Sequence, residues 1–191
     1  MPRYTGINHL AMATGDMDAT IRFWRDLLGM RLVGGLGHPG YRHYFLEISE
    51  TDMIAFFEWP DVAPVEPKDH GVPVKGPYVF DHISFGVSER DELWEIKAKL
   101  EAAGFWASEV IDHGFILSLY SFDPNNIAIE FSWPQPGIDL REKPRLVDKH
   151  PGVTRLEGPN PQPGKWPAPE PLEREDMKAY PGEGREILGK G

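Results

Sequence analysis

Three side chains in this sequence have the types and surroundings of a metal site. His9 sits in the apolar run INHLAM, His82 in FDHISF, and Glu130 in IAIEFSW. An ionised carboxylate within an apolar strand is costly to bury unless a cation pairs with it. A lone strand histidine is more often a packing residue, but His9 and His82 occupy equivalent positions in two similar stretches of chain. Two neutral imidazoles and one carboxylate, with open positions left over, form the facial triad that suits Fe(II), Mn(II) or Zn(II). Such an ion would also offset the desolvation of Glu130. The chain has no cysteine, which excludes thiolate ligands, a thiol nucleophile and disulfides, so any metal must be held by His, Asp or Glu.

Bringing these residues together requires their strands to converge. Residues 7–33, INHLAMATGDMDATIRFWRDLLGMRLV, resemble residues 80–107, FDHISFGVSERDELWEIKAKLEAAGFWA; His9 aligns with His82, and Leu27 with Leu100 at the same offset. Each copy opens with a short alternating strand and an acidic helix start, at Asp16 or at Glu89 and Asp91. Apolar residues at helical spacing follow: Met17, Ile21, Trp24 and Leu28, then Leu93, Ile96 and Leu100. Gly29 and Gly104 close the helices. Three strand-like runs complete each copy, RLVGGLG, YRHYFLEIS and MIAFFEW in the first and FWASEVID, FILSLYSF and NIAIEFSW in the second.

The pattern predicts an α+β fold of two paired βαβββ modules, residues 1–59 and 78–133. If they pack about a pseudo-twofold axis, the two imidazoles face one another and Glu130, in the last strand of the second module, joins them. Glu58 lies in the last strand of the first. Residues 60–77, PDVAPVEPKDHGVPVKGP, read as an exposed linker. From 134 to 191 come 11 of the 19 prolines, which rules out regular helix or central strand there. Composition alone describes a disordered tail. Leu140, Leu146, Val153, Leu156, Trp166 and Leu172 nevertheless offer spaced anchors for a tail that wraps over the domain or a neighbouring subunit.

The formal net charge of −10 and pI of about 5.1 argue against a nucleic-acid footprint or an anionic membrane surface as partner. The start MPRYTGINHL lacks a signal-peptide apolar region and no run reaches transmembrane length, so the expected location is cytoplasmic. GGLGHPG is followed by no helix bearing a phosphate-loop lysine and is not read as a phosphate cradle. His38 and His70 fall in turns and are expected to be solvated, and His43, in YRHYFLEI, to be an exposed or packed strand residue.

INHLAM, FWRDLLGMRL, FDHISFGV and DPNNIAIEF together resemble the vicinal oxygen chelate superfamily over residues 5–133. That superfamily includes glyoxalase I, extradiol ring-cleaving dioxygenases, fosfomycin-resistance proteins, methylmalonyl-CoA epimerase and metal-free bleomycin-binding proteins. The resemblance implies a cleft in which a metal held by His9, His82 and Glu130 chelates vicinal substrate oxygens, with Glu58 near the position of a fourth ligand in glyoxalase I. His113, Leu119-Tyr120, Asp123-Pro124 and Glu130 are similar in order and spacing to the extradiol dioxygenase pattern, except that Asn126 stands where Gly or Pro is usual; Asn tolerates the left-handed turn conformation. In that likeness His113 shuttles a proton or stabilises bound oxygen, and Tyr120 hydrogen-bonds a substrate oxygen.

The leading expectation is an Fe(II) extradiol-type dioxygenase acting on a small catechol-like aromatic, with dioxygen as co-substrate and a homodimeric assembly. The alternatives are a Ni- or Zn-dependent lyase or epimerase like glyoxalase I, with Mn also compatible with the ligands, and a metal-free binding protein. Glu58 discriminates. Aligning IAFF (54–57) on IAIE (127–130) sets Phe57 over Glu130 and turns Glu58 away, unless a one-residue shift intervenes. Phe45, Phe57, Phe85, Phe115 and Trp133 are expected to wall the cleft.

Overall fold

The alternation of HLAMAT makes a strand, β1 (His9–Thr14), that ends where the Asp16 side chain accepts a hydrogen bond from Ala19 N at 2.9 Å and caps the first helix, α1 (Met17–Ile21). The helix continues as wider π-helical turns through Arg22–Leu27, which bury both Phe23 and Trp24. Strands β2 (Arg31–His38), β3 (Tyr41–Glu47) and β4 (Met53–Glu58) complete the first module. The second repeats the order with β5 (Ile83–Gly86), α2 (Glu92–Ala102), β6 (Ile111–Asp112), β7 (Ile116–Phe122) and β8 (Ala128–Pro134). The structure, a computed structural model of the chain, describes residues 7–76, 80–147, 149–165, 167–168, 170–174 and 177–189.

Each module forms a four-stranded mixed sheet of the same topology, β1-β4-β3-β2 and β5-β8-β7-β6. In each, the first strand runs parallel to the last and the remaining pairs are antiparallel. The helix-bearing faces of the two sheets share one core. Trp24 lies at its centre, 5.9 Å from Phe56 of the first sheet and 5.4 Å from Phe85 of the second. Truncating such a fully buried tryptophan to alanine costs about 3–5 kcal/mol.

Polar bonds pin the seam between the modules. Asp123, buried at the turn before β8, accepts from Trp24 Nε1 (3.2 Å), Asn125 N (2.8 Å), Asn125 Nδ2 (3.0 Å) and Ile127 N (2.9 Å). Asn125 Oδ1 in turn accepts from Thr14 Oγ1 at 2.6 Å. Asn126 adopts the left-handed conformation, φ 60°, which its short polar side chain tolerates.

Because the sheets share a core on their helix-bearing faces, the other face of each points away from that core. His9, His43, Phe45, Ala55 and Phe57 share the open face of the first sheet; His82, Ser118, Tyr120 and Glu130 share that of the second. This parity corrects two of the expected cleft walls. Phe85 and Trp133 alternate with Ser84 and Ser132, and so fall on the core side.

The tail behaves differently from its expected anchoring. Leu140, Leu146, Val153, Leu156 and Leu172 are exposed, and Trp166 lies outside the described residues. A short helical segment, Glu183–Leu188, docks instead on the edge of the first sheet, where Tyr41 Oη donates to Glu183 (2.8 Å) and His38 Nε2 meets Glu186 (2.9 Å).

Candidate active site

Glu130 is the centre of the polar cluster on the second sheet. The register of β8 sets it opposite Tyr120 on one side and Ser84 on the other, and only 4% of it is exposed. Ser118 Oγ donates to its Oε1. Its Oε2 lies 3.0 Å from His82 Nε2, on the residue that precedes β5. His82 Nδ1 meets Asp81 Oδ1 at 2.6 Å.

That chain of contacts sets a chemical condition. A carboxylate can only accept, so His82 Nδ1–H donates to Asp81; in that tautomer of the neutral ring Nε2 turns a lone pair toward Glu130. Two acceptors 3.0 Å apart need a shared cation between them. A proton or a metal ion meets that need, and an imidazole whose far nitrogen is held by a carboxylate is the usual arrangement of a metal-ligating histidine. His82 and Glu130 therefore fit a metal.

Tyr120 and His113 complete the cluster. His113 Nε2 lies 2.9 Å from Tyr120 Oη. Its loop is aimed by the turn at Gly114, whose φ of 82° favours glycine and whose N–H is held by Asp112 at 2.7 Å. Burial, and secondarily the Glu130 charge, pushes the Tyr120 phenol above its usual range, so it remains a protonated donor. His70, expected to be solvated, is half-buried here: its ring lies 4.5 Å from that of Tyr120 and 5.5 Å from that of His82.

The first module contributes less. His9 is exposed, bonded to Asn8 Oδ1 at 2.9 Å, with Phe45 at its edge. His43 is stacked on Phe57 at 3.6 Å, and burial lowers its pKa. Glu58 lies on the helix side of its sheet, where it takes both Arg42 Nε and Nη2 and the N–H of Met17 (2.8 Å); the Arg42 guanidinium holds its carboxyl below the usual range. The resemblance set Glu58 near a fourth ligand and strand parity turned it away; its position follows the parity, with Met53, Ala55 and Phe57 on the open face of β4.

Among the described residues, no three His, Asp or Glu side chains within this one chain gather as a metal site. The structure thus brings together His82, Glu130, Tyr120 and His113, and leaves His9 on the other module. The sequence reading missed Asp81, Ser118, Lys68 and His70. Asp81 was signalled only by its adjacency to His82, and Ser118 by its two-residue spacing from Tyr120.

The sequence profile of the Glyoxalase/Bleomycin resistance protein/Dioxygenase superfamily matches residues 6–131. The chain belongs to this superfamily. Its enzymes generally use a divalent metal. Among superfamily relatives, lactoylglutathione lyase of Haemophilus influenzae is 27% identical over 130 residues, covering 65% of this chain and 90% of that protein. The glyoxylase/bleomycin resistance protein/dioxygenase domain of Frankia sp. EAN1pec is 20% identical with a TM-score of 0.59, over 71% of this chain and 96% of the other. Fosfomycin resistance protein FosX of Listeria monocytogenes is 16% identical with a TM-score of 0.52, over 70% and 97%. These two structural likenesses concern the fold alone. No helix among the described residues is long and apolar enough to cross a membrane.

Proposed function

We propose that the protein is a divalent-metal-dependent enzyme of the extradiol type, cleaving the ring of a small aromatic vicinal diol beside its two hydroxyls. The observation that carries this reading is the hydrogen-bonded pair His113–Tyr120 (2.9 Å), set on the same sheet face as Glu130 and His82. A lyase that moves a proton with a ligand carboxylate has no use for that pair. The commitment of Glu58 to Arg42 also favours a three-ligand site over the four-ligand set of glyoxalase I.

The site is completed by a second copy of the chain. His9 does not gather with His82 and Glu130 within one chain among the described residues, and β1 and β5 are both open sheet edges. An apolar groove of about 360 Å³ runs along β1, lined by Leu10, Met12, Val62, Phe80 and Ile127. In a homodimer that pairs the first module of one chain with the second module of the other, His9 of one copy meets His82 and Glu130 of its neighbour.

Fe(II), held by His82 and Glu130 of one copy and His9 of the other, would supply Lewis acidity toward the diol and an electron for dioxygen. The residues of the chain do the rest. Asp81 fixes the His82 ring, and Ser118 holds the Glu130 oxygen that faces away from His82. Tyr120 Oη accepts the proton of a substrate hydroxyl as it passes its own to His113 Nε2, one bond behind it, and the relay later runs in reverse to return the proton. Phe45 and Phe57 offer an apolar wall to the ring. Both atoms of dioxygen enter the opened product.

The test is anaerobic loading with Fe(II) followed by oxygen uptake with catechols, which should consume one dioxygen per ring opened. The lyase reading is favoured by the likeness to lactoylglutathione lyase; Ni- or Zn-loaded protein that converts the methylglyoxal–glutathione adduct, without oxygen uptake on catechols, would replace the proposal. Binding of aromatics by protein that retains no metal would leave a sequestering protein.

A further inference from the structure

The linker between the modules folds back onto the half-site. Lys68 Nζ donates to Asp81 Oδ2 at 2.6 Å and to the carbonyl of Asp69 at 2.9 Å. Gly71 N donates at 3.0 Å to Asp81 Oδ1, the oxygen that also takes His82 Nδ1. Between them, His70 Nε2 donates at 2.9 Å to the carbonyl of Ile129, the residue before Glu130. Its ring packs against Tyr120 (4.5 Å), Phe122 (5.3 Å) and His82 (5.5 Å). Upstream, Val65 N donates to the Asn125 carbonyl (3.1 Å) and Asn126 Nδ2 to that of Val65 (2.8 Å), tying the strap to the turn before β8. A segment whose only task is to join two modules has no need of these bonds.

We propose that Lys68–Gly71 is a positioning element of the site: Lys68 and the Gly71 N–H clamp Asp81, Asp81 clamps the His82 ring with Nε2 toward Glu130, and His70 wedges the rings of Tyr120 and His82. The inference rests on the reading of His82 and Glu130 as metal ligands. Charge explains the choice of lysine. Asp81 and Glu130 both face one imidazole, and a cation at 2.6 Å from Asp81 offsets the repulsion that two carboxylates would otherwise impose. None of the three linker residues contacts substrate or metal in this scheme, so each acts through Asp81, His82 or Tyr120.

The test uses the full-length chain and zinc, with its dissociation constant measured by chelator competition and the thermal midpoint followed in parallel. Lys68→Met and His70→Ala are each expected to weaken zinc binding about 10–100-fold, the scale seen for groups that orient metal ligands, while Lys68→Arg restores most of the affinity and the midpoints stay near that of the parent. Unchanged affinity in both Lys68→Met and His70→Ala, beside loss in His82→Ala, overturns the inference. Should the parent chain bind no zinc, the metal reading itself falls, and the strap is judged by the ¹⁵N ring spectrum of His82. A bonded Nδ1–H in the parent that is lost in Lys68→Met supports it, and identical spectra refute it.

Discussion

Replacing Glu58 by glutamine separates a structural carboxylate from a metal ligand. Glu58 accepts three N–H groups, two from Arg42 and one from Met17, and its side chain is 15% exposed. Glutamine keeps one acceptor, enough for Met17, and turns an NH₂ toward Arg42, so the bidentate pair is lost. Hydrogen bonds to charged groups contribute about 1.5–3 kcal/mol each. Arg42 is one-third exposed and keeps Asp18 at 3.2 Å, which screens and partly replaces the lost pair. The expected loss is therefore about 1–3 kcal/mol in total, or roughly 3–10 °C in thermal midpoint for a chain of this size. The effect has a pH signature. A carboxyl held below its usual range contributes stability that is present above its unfolded pKa, about 4.3, and is lost as pH falls through the lower folded value. The gap between parent and Glu58→Gln should be full at pH 7 and shrink below about pH 4. Zinc affinity should not change. A variant that keeps its midpoint and loses its metal would refute the placement of Glu58.

Three further outcomes follow from the same contacts. His113→Ala should retain metal and substrate affinity while turnover falls about 10²–10⁴-fold, and Tyr120→Phe should also slow turnover without metal loss; steady-state kinetics beside metal analysis would contradict both roles if turnover were unchanged. Asp123→Ala leaves Trp24 Nε1 and the N–H groups of Asn125 and Ile127 unpaired and takes one of two partners from Asn125 Nδ2, and should destabilise the chain by about 2–4 kcal/mol in urea titration, where a change under 1 kcal/mol would show that water replaces the carboxylate. Truncation after Gly182 removes exposed contacts to His38 and Tyr41, each worth about 0–1 kcal/mol, so the midpoint should drop by no more than about 8 °C; a larger drop would make the tail part of the fold.

Much of the fold was written in short-range periodicity. The repeat of strand, capped helix and three strands needs only alternation, helical spacing and turn residues, and these are local properties. Parity along β4 likewise turned Glu58 away, because side chains alternate strictly on an unbulged strand. The same rule, not applied to Phe85 and Trp133, would have moved them from the cleft to the core. What stayed hidden depends on contacts between distant segments. His70 lies in a Pro-rich stretch with no apolar period, and its burial comes from Tyr120 and Ile129, more than 45 residues downstream. The tail anchors failed for a related reason: spacing shows that an apolar residue could be buried, not that a groove exists to receive it. Which faces of the two sheets meet was equally silent, since both packings use the same strands.

The ligand set and its assembly across two copies can be read from one stoichiometry. His9→Ala chains and Glu130→Ala chains, each expected to retain no zinc alone, are unfolded together, refolded and the mixed dimer isolated by two different affinity tags. Pairing of the first module of one chain with the second of its neighbour makes one complete site and one doubly defective site, so the expected result is one tightly held zinc per mixed dimer. A mixed dimer with no zinc, while the parent dimer holds two, would contradict the account.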